Sequence, residues 1–278
     1  ELTADALECI PAGRHDSGTA NQIDASGAWN DTRGLLVSTD PPYYDNIPYS
    51  DISDFFYVWL RRTIGPIFPH LFGTVLTPKN PELVASSLRH EGNLIAAKVH
   101  FETGFRKAFT TLQEKMDPRF PLTVYYAFKQ EDEQSGRDDA DNGDGEGTSN
   151  GVDLTTGWET LLDALLGSGF QITATWPVRA SQQWRMRSMG SNALASYIVL
   201  ACRPRPDGAP QCSRREFLNE MKKELPTALK YLQQGNIAPV DLAQASIGPG
   251  MAVFSRYAKV IESSGNAMTV RTALALIN

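Results

Sequence analysis

Short apolar runs alternate with helically spaced apolar residues along the first two thirds of the chain. The runs predict strands at 34–39, 122–128, 170–176 and 195–202. Apolar residues three and four positions apart predict helices over 51–64, 91–116 and 157–166. Because helical crossovers separate most of the strands, the pattern predicts an α/β fold with a mostly parallel sheet and a final hairpin-like strand pair.

The pattern changes after Pro206, and residues 207–278 are predicted to form a mainly helical appendage to a domain that spans 1–206. A charged helix is expected over 213–234. The glycines and proline of 247–251 predict a turn before a short helix over 252–258. A small hairpin around 264–266 and a last helix over 271–278 complete this part.

Composition describes an ordinary globular protein. Of 278 residues, 41% are hydrophobic and 21% charged, which excludes collagen-like and wholly disordered chains. No apolar run approaches the roughly 18 residues of a membrane span. The three cysteines form no C-x-x-C pair, which argues against a disulfide framework or a zinc site and favours the cytoplasm. The first residues are neither a signal peptide nor an initiator Met, so we expect the chain to start inside a longer gene product.

Negative charge is concentrated in one segment. Residues 131–151 lack large apolar side chains and predict a disordered acidic loop. Leaving out the eight acidic residues and one arginine of 131–146 reduces the acidic total from 32 to 24 and the basic total from 26 to 25. The remaining charge of +1 is compatible with a nucleic-acid partner but does not by itself indicate one.

The strongest chemical signal is Asp40-Pro41-Pro42-Tyr43, directly after the first predicted strand. Consecutive prolines fix the backbone, so the Pro41 carbonyl and the Asp40 carboxylate form two acceptors at a fixed separation. Two acceptors suit the two N–H groups of an exocyclic amine, and the Tyr43 ring suits stacking on a planar base. A simple strand-to-turn corner is the alternative interpretation of the tetrapeptide alone.

This tetrapeptide resembles the D-P-P-Y motif of S-adenosylmethionine-dependent amino-methyltransferases. The longer sequence resembles the Zn-ribbon-containing family of adenine-specific DNA methylases over most of 35–278, apart from the acidic loop. The stretches that carry this resemblance are 40–51, 55–62, 176–179, 192–196 and 247–257.

The resemblance implies a Rossmann-like methyltransferase sheet and methyl transfer to adenine N6 of DNA, with the target base flipped out of the duplex. In this interpretation Asp40 and the Pro41 carbonyl hold the amine, Pro42 stiffens the loop and Tyr43 stacks on the base. Tyr44 and Asn46 would line the base pocket; capping of the turn by Asp45 and Asn46 is the alternative.

Two features of the family are missing from the chain: its glycine-rich cofactor loop and its zinc-ribbon cysteines. The chain is therefore expected to form a partial catalytic domain that lacks the first strand–loop unit. An upstream segment of the same gene product would supply that unit. Asp24 and Ala25 resemble the third-strand motif that meets the cofactor's adenine, with an exposed turn aspartate as the alternative.

Arginine and tryptophan residues follow the third predicted strand and are candidates for DNA contact, with arginine on phosphate and tryptophan stacked on bases. These are Trp176, Arg179, Trp184 and Arg185. A solvated loop is the alternative. Two other functions stay open: methylation of cytosine N4, RNA or a protein amide, and a non-catalytic module that binds DNA or another chain.

Overall fold

The structure is a computed structural model, and it describes residues 21–27, 29, 33–44, 47–126, 154–179, 196–234 and 239–277. The predicted acidic loop lies outside these residues. Within them the chain forms six helices and six strands, so the α/β class is confirmed. The helices are α1 (Tyr49–Thr63), α2 (Leu94–Lys115), α3 (Leu154–Gly167), α4 (Arg214–Gln234), α5 (Pro239–Ser255) and α6 (Val270–Ile277). The strands are β1 (Ser38–Thr39), β2 (Leu122–Tyr126), β3 (Phe170–Arg179), β4 (Ser196–Pro204), β5 (Gln211–Ser213) and β6 (Lys259–Ile261).

Local sequence sets the ends of several helices. The Asn93 side chain accepts a hydrogen bond from the Ala96 N–H and caps α2, which ends before Asp117-Pro118. Ser213 and Glu216 bond each other's backbone N–H groups in a capping box at the start of α4. Gly169, with φ of 83°, follows the end of α3, where left-handed backbone favours glycine.

Four strands form a sheet in the order β1-β2-β4-β3, and this sheet is mixed, although the sequence predicted a mostly parallel one. Strands β1 and β2 are parallel, while β4 runs antiparallel to both β2 and β3. Strand β3 therefore points the same way as β1 and β2, and the carboxyl ends of all three strands lie at one edge of the sheet. The antiparallel β3–β4 pair is the hairpin-like pair that the sequence predicted.

A continuous hydrophobic core joins the sheet to both halves of the chain. Helix α2 contributes a stripe of phenylalanines, Phe101, Phe105 and Phe109, and packs on α3. Helix α5 packs along the edge strand β3 and against α4 and α6. Residues 207–278, expected to be an appendage, therefore share one core with the sheet.

The prediction of a turn at 247–251 is wrong, because α5 runs through these residues without a break. The two glycines serve close packing. A Cβ at Gly248 would lie 2.4 Å from Thr175 Oγ1 on β3, and a Cβ at Gly250 would lie 2.6 Å from Ile277 Cγ1 on α6. Glycine at these two positions allows the helix to approach both neighbours, and the helix itself continues through Pro249.

The predicted hairpin near the C-terminus is also arranged differently. Strand β6 pairs in parallel with β5, which the sequence did not predict, and only an isolated antiparallel bridge joins Ile261 to Ala267. Gly265, with φ of 84°, turns the chain between them as expected.

Candidate functional site

The D-P-P-Y loop leaves the carboxyl end of β1 at the shared edge of the three parallel strands. Asp40 is exposed, and Tyr43 is half-buried behind it. The Tyr43 hydroxyl donates a 2.8 Å hydrogen bond to Asp40 Oδ1. This bond closes the tetrapeptide on itself and fixes the carboxylate beside the Pro41 backbone. In open α/β sheets, this edge is where ligands bind.

An aromatic chain extends from Tyr43 into the core. The Tyr43 and Tyr126 rings meet edge to face at 5.2 Å, and Tyr126 meets Trp158 at 5.0 Å. Tyr126 ends β2 and is completely buried, and its hydroxyl donates to the Gly157 carbonyl at 3.4 Å. The Trp158 indole Nε1 is buried and has no hydrogen-bond partner among the described residues. The loop is thereby attached to β2 and to the first turns of α3.

Sequence reasoning missed Tyr126 and Trp158. The signal was present, because parallel pairing of β1 and β2 brings the residue that ends β2 next to the loop that follows β1. The strand pairing itself was not evident from the sequence.

Tyr44 lies beneath the loop in the core. Its backbone has a φ of 40°, in the left-handed region that non-glycine residues rarely adopt. The ring is buried and meets Phe101 of α2 at 5.1 Å, and its carbonyl accepts from the Ala85 N–H. The structure thus places Tyr44 as a support for the loop, in contrast to its expected position lining the base pocket.

Ion pairs and hydrogen bonds hold the segment that carries Ala85 against α1. Arg89 contacts Glu82 Oε2 at 2.5 Å, Asp51 Oδ2 at 2.6 Å and Ser50 Oγ at 2.9 Å. Burial acts to raise the pKa of Glu82, but hydrogen bonds from Ser50 and Arg89 outweigh it and hold this pKa below its usual value. We call these four residues the Arg89 cluster. It joins the start of α1 to the 82–89 segment under the loop.

The two residues predicted to meet a cofactor lie in an exposed turn. Asp24 Oδ1 accepts hydrogen bonds from the Ser26 N–H and the Ser26 hydroxyl, both at 2.8 Å, and Ala25 is exposed. This geometry matches the alternative interpretation of Asp24 as a turn residue.

The structure describes only some of the residues that were expected to contact DNA. Arg179 is the last residue of β3 and pairs with Ser196, at the same edge as the D-P-P-Y loop. Trp176 is about half exposed and lines a groove of about 560 Å³ with Tyr231 and Arg256, between β3 and helices α4 and α5. Asn46, Trp184 and Arg185 lie outside the described residues.

A cradle for the cofactor would need a glycine turn between the end of a strand and the next helix. The described glycines with positive φ are Gly34, Gly92, Gly169 and Gly265. None of them lies between the carboxyl end of a strand in the four-stranded sheet and the helix that follows it. The described residues therefore do not form the glycine-rich cofactor loop of the methylases that the sequence resembles.

No helix in the described parts of the chain is both long enough and apolar enough to cross a bilayer. Comparison of the chain with protein-family models, with curated proteins and with solved structures finds no match.

Proposed function

We propose that this chain is the target-base part of an S-adenosylmethionine-dependent DNA methyltransferase that modifies an exocyclic amine, the N6 amine of adenine. One observation carries the proposal. The Asp40 carboxylate, held by Tyr43 and adjacent to a rigid Pro41 carbonyl, lies at the edge where three parallel strands end.

The two acceptors would hold the amine. Tyr43 occupies Asp40 Oδ1, and it is the one described residue that donates to this carboxylate. The second carboxylate oxygen and the Pro41 carbonyl would each accept one N–H of the amine. This leaves the nitrogen lone pair oriented out of the base plane, so the loop acts by positioning. The packing on Tyr126 would keep the Tyr43 ring in place for stacking.

The sheet supports a Rossmann-like assignment. Helix α2 lies between the parallel strands β1 and β2 in the sequence, and α3 lies between β2 and β3, as in a chain of β–α–β units. Strand β1 is the outermost strand on one side of the described sheet, and Leu36 beside it is 73% exposed. We propose that the upstream segment adds its strands alongside β1.

The cofactor would be held mainly by that upstream segment. The described residues do not fit S-adenosylmethionine by themselves, because they offer no glycine-rich turn and the Asp24 carboxylate is bonded to Ser26. Methyl transfer is therefore expected from the combined segments, with DNA as the methyl acceptor.

The test is a methylation assay with labelled S-adenosylmethionine and, in separate reactions, duplex DNA containing adenine and cytosine, RNA, or protein. The chain is assayed alone and together with the upstream segment of its gene product. We expect transfer only from the combination, with N6-methyladenine identified by mass spectrometry. Methylcytosine, or methylated RNA or protein, would redirect the proposal to another acceptor. No transfer to any of them would refute it.

Variants at the loop make the test specific. Asp40→Ala should abolish transfer, since it removes one of the two acceptors. Tyr43→Phe removes the bond to Asp40 but keeps the ring, so it should retain more activity than Tyr43→Ala. Base stacking is worth about 1–3 kcal/mol, which corresponds to roughly a five- to 150-fold difference between these two variants. Full activity of Asp40→Ala would contradict the assigned role.

A second candidate is a non-catalytic module that binds DNA. The missing glycine turn and the groove containing Trp176 and Tyr231 favour it. In that case the chain would bind DNA with a salt-dependent affinity, and Asp40→Ala would leave this affinity unchanged.

A further inference from the structure

Helix α1 presents its apolar side to solvent. Six large side chains on one face are between 44% and 68% exposed: Tyr49, Ile52, Phe55, Phe56, Trp59 and Leu60. Their spacing of three and four residues makes one continuous stripe. We call it the α1 stripe. A helix at the surface of a folded protein normally turns such a stripe toward the core.

The polar side of the same helix faces the protein. Ser50 and Asp51 bind within the Arg89 cluster, Asp54 accepts from Lys79 Nζ at 2.6 Å, and the Tyr57 hydroxyl bonds to Thr74. Only Ser50 and Tyr57 are buried in α1. The helix is thus amphipathic with its usual orientation reversed, and specific hydrogen bonds hold it that way.

The exposed surface is large enough for a stable contact. With roughly 150–250 Å² per aromatic side chain, Phe55, Phe56 and Trp59 alone expose about 350 Å². Tyr49, Ile52 and Leu60 add to this area, so the α1 stripe reaches the upper part of the ~300–600 Å² range of the largest apolar patch on a typical monomer, a patch that is often functional. Two such stripes in contact would bury roughly 1,000 Å² in total, the lower limit for a specific interface.

A membrane surface fits this helix poorly. Helices that lie in a bilayer interface carry lysine and arginine along the polar face. In α1 the side away from the stripe carries Asp51 and Asp54 as well as Arg61 and Arg62, so it is not uniformly basic, and both aspartates are bonded to the rest of the protein. A protein surface is the better match.

The charges beside the stripe are complementary between two copies of α1 that run antiparallel. Asp51 keeps 46% of its side chain exposed beside its contact with Arg89. It precedes Arg62 by eleven residues, about three helical turns, so both lie on the same side of the stripe. Two copies of α1 packed antiparallel would place each Asp51 near Arg62 of the other copy. Such a contact is self-complementary, as a two-fold interface requires. It also places the two helix dipoles antiparallel, which is favourable.

We propose that the α1 stripe is a homodimer interface, in which two α1 helices pack antiparallel about a two-fold axis near Phe56. This inference is independent of the proposed methyltransferase function.

Sedimentation velocity of the chain from about 1 to 100 μM tests the proposal, since this range covers a Kd near 10 μM. We expect the wild type to dimerise and Phe56→Asp to stay monomeric, with a Kd at least about tenfold weaker. Tyr231→Asp is the matched control, because Tyr231 is another exposed aromatic residue on a helix, at 70% exposure. It should dimerise like the wild type.

A pair of charge reversals tests the orientation. Arg62→Glu should weaken the dimer, because it would face Asp51 of the other copy. Arg61→Glu changes the net charge equally but lies about 100° further around the helix, away from the stripe, and should have little effect. Equal effects of the two would overturn the antiparallel arrangement.

Several results would overturn the dimer. These are a wild type that is folded by circular dichroism yet monomeric at about 100 μM, and a Phe56→Asp variant that dimerises normally. Loss of the dimer when the upstream segment binds would assign the stripe to that segment. Binding of the monomer to lipid vesicles, removed by Phe56→Asp, would assign it to a membrane.

Discussion

Cys202 lies within the sheet, paired with Leu122 of β2 on one side and with Ile172 of β3 on the other. Its thiol is completely buried, and burial raises its pKa above the usual range. Burial, with the nearby Glu216 charge, raises the pKa of Cys212 to about 11. Because the thiolate is the reactive form, both cysteines should be inert in the folded protein.

We therefore predict that neither thiol reacts with a disulfide reagent at about pH 8 until the chain is unfolded. The experiment uses a Cys9→Ser background, since Cys9 lies outside the described residues. Two thiols should then react in denaturant and none before it. Rapid reaction of either thiol in the native protein would contradict this prediction and show that the strand carrying that thiol opens.

The glycines of α5 support a second prediction at this scale. Gly250→Ala should destabilise the protein by about 1–3 kcal/mol, because the added Cβ overlaps Ile277. Ile277→Ala removes the overlapping atoms, so the double variant should be more stable than the sum of the two single effects predicts. Gly208→Ala, with no atom within 4 Å of the added Cβ, is the control. Additive free energies of unfolding in urea would contradict the close packing.

Individual site residues could be predicted from sequence only where the local chain determines them. Asp40, Pro41, Pro42 and Tyr43 are adjacent, so their proximity is covalent and was correctly expected. The Tyr43–Tyr126 contact depends on which strands pair, and no local pattern reports that. The inward position of Tyr44 depends on its left-handed φ angle. Because residue 44 is not a glycine, the sequence gives no sign of that angle.

At the scale of elements, the polar attachment of α1 should respond to acid. The pKa of Glu82 is held below the ordinary glutamate value of 4.5, so its bonds with Ser50 and Arg89 contribute stability above that pH. This contribution is lost as the pH falls through the lowered value. The hydrogen bond from Lys79 lowers the pKa of Asp54 in the same direction. We therefore expect α1 to detach from the 74–89 segment below about pH 4.5.

Amide hydrogen exchange, corrected for its intrinsic pH dependence, measures this detachment. Protection of Tyr49–Thr63 should fall as the pH is lowered below about 4.5, while protection of α6 persists. Glu82→Gln should weaken protection of α1 at neutral pH and flatten its response to acid. A wild-type α1 that stays protected throughout this range would contradict the role of the Arg89 cluster.

Three helices followed from the spacing of apolar residues, since α1, α2 and α3 each bear a helical repeat, and α4 was expected as a charged helix. The repeat of α1 revealed a helix but not which side it buries, because that depends on the polar partners contributed by 74–89. The prediction of a turn at 247–251 was wrong because glycine and proline usually end helices. Their role became evident only from Thr175 and Ile277, which are distant in the sequence.

At the scale of the whole molecule, residues 207–278 should be required for folding. Met251 and Ala273 are completely buried, and the Ser255 hydroxyl accepts from the Ile172 N–H of β3. A chain that ends at Pro206 would expose this side of the core. We predict that it loses cooperative thermal unfolding. Deleting 133–147, within the predicted acidic loop, should leave that transition in place. A cooperative transition in the shortened chain would show that 207–278 is a separable unit.

The position of β4 also has a consequence for synthesis on the ribosome. Strand β4 lies between β2 and β3, although both precede it in the chain. A nascent chain that has emerged only as far as β3 thus has no strand with which to bridge the gap, and the facing edges of β2 and β3 remain open. Open strand edges invite pairing with other chains. We therefore expect translation products that stop between β3 and β4 to aggregate or to be bound by chaperones, and those that extend past Pro204 to be the first that can close the sheet.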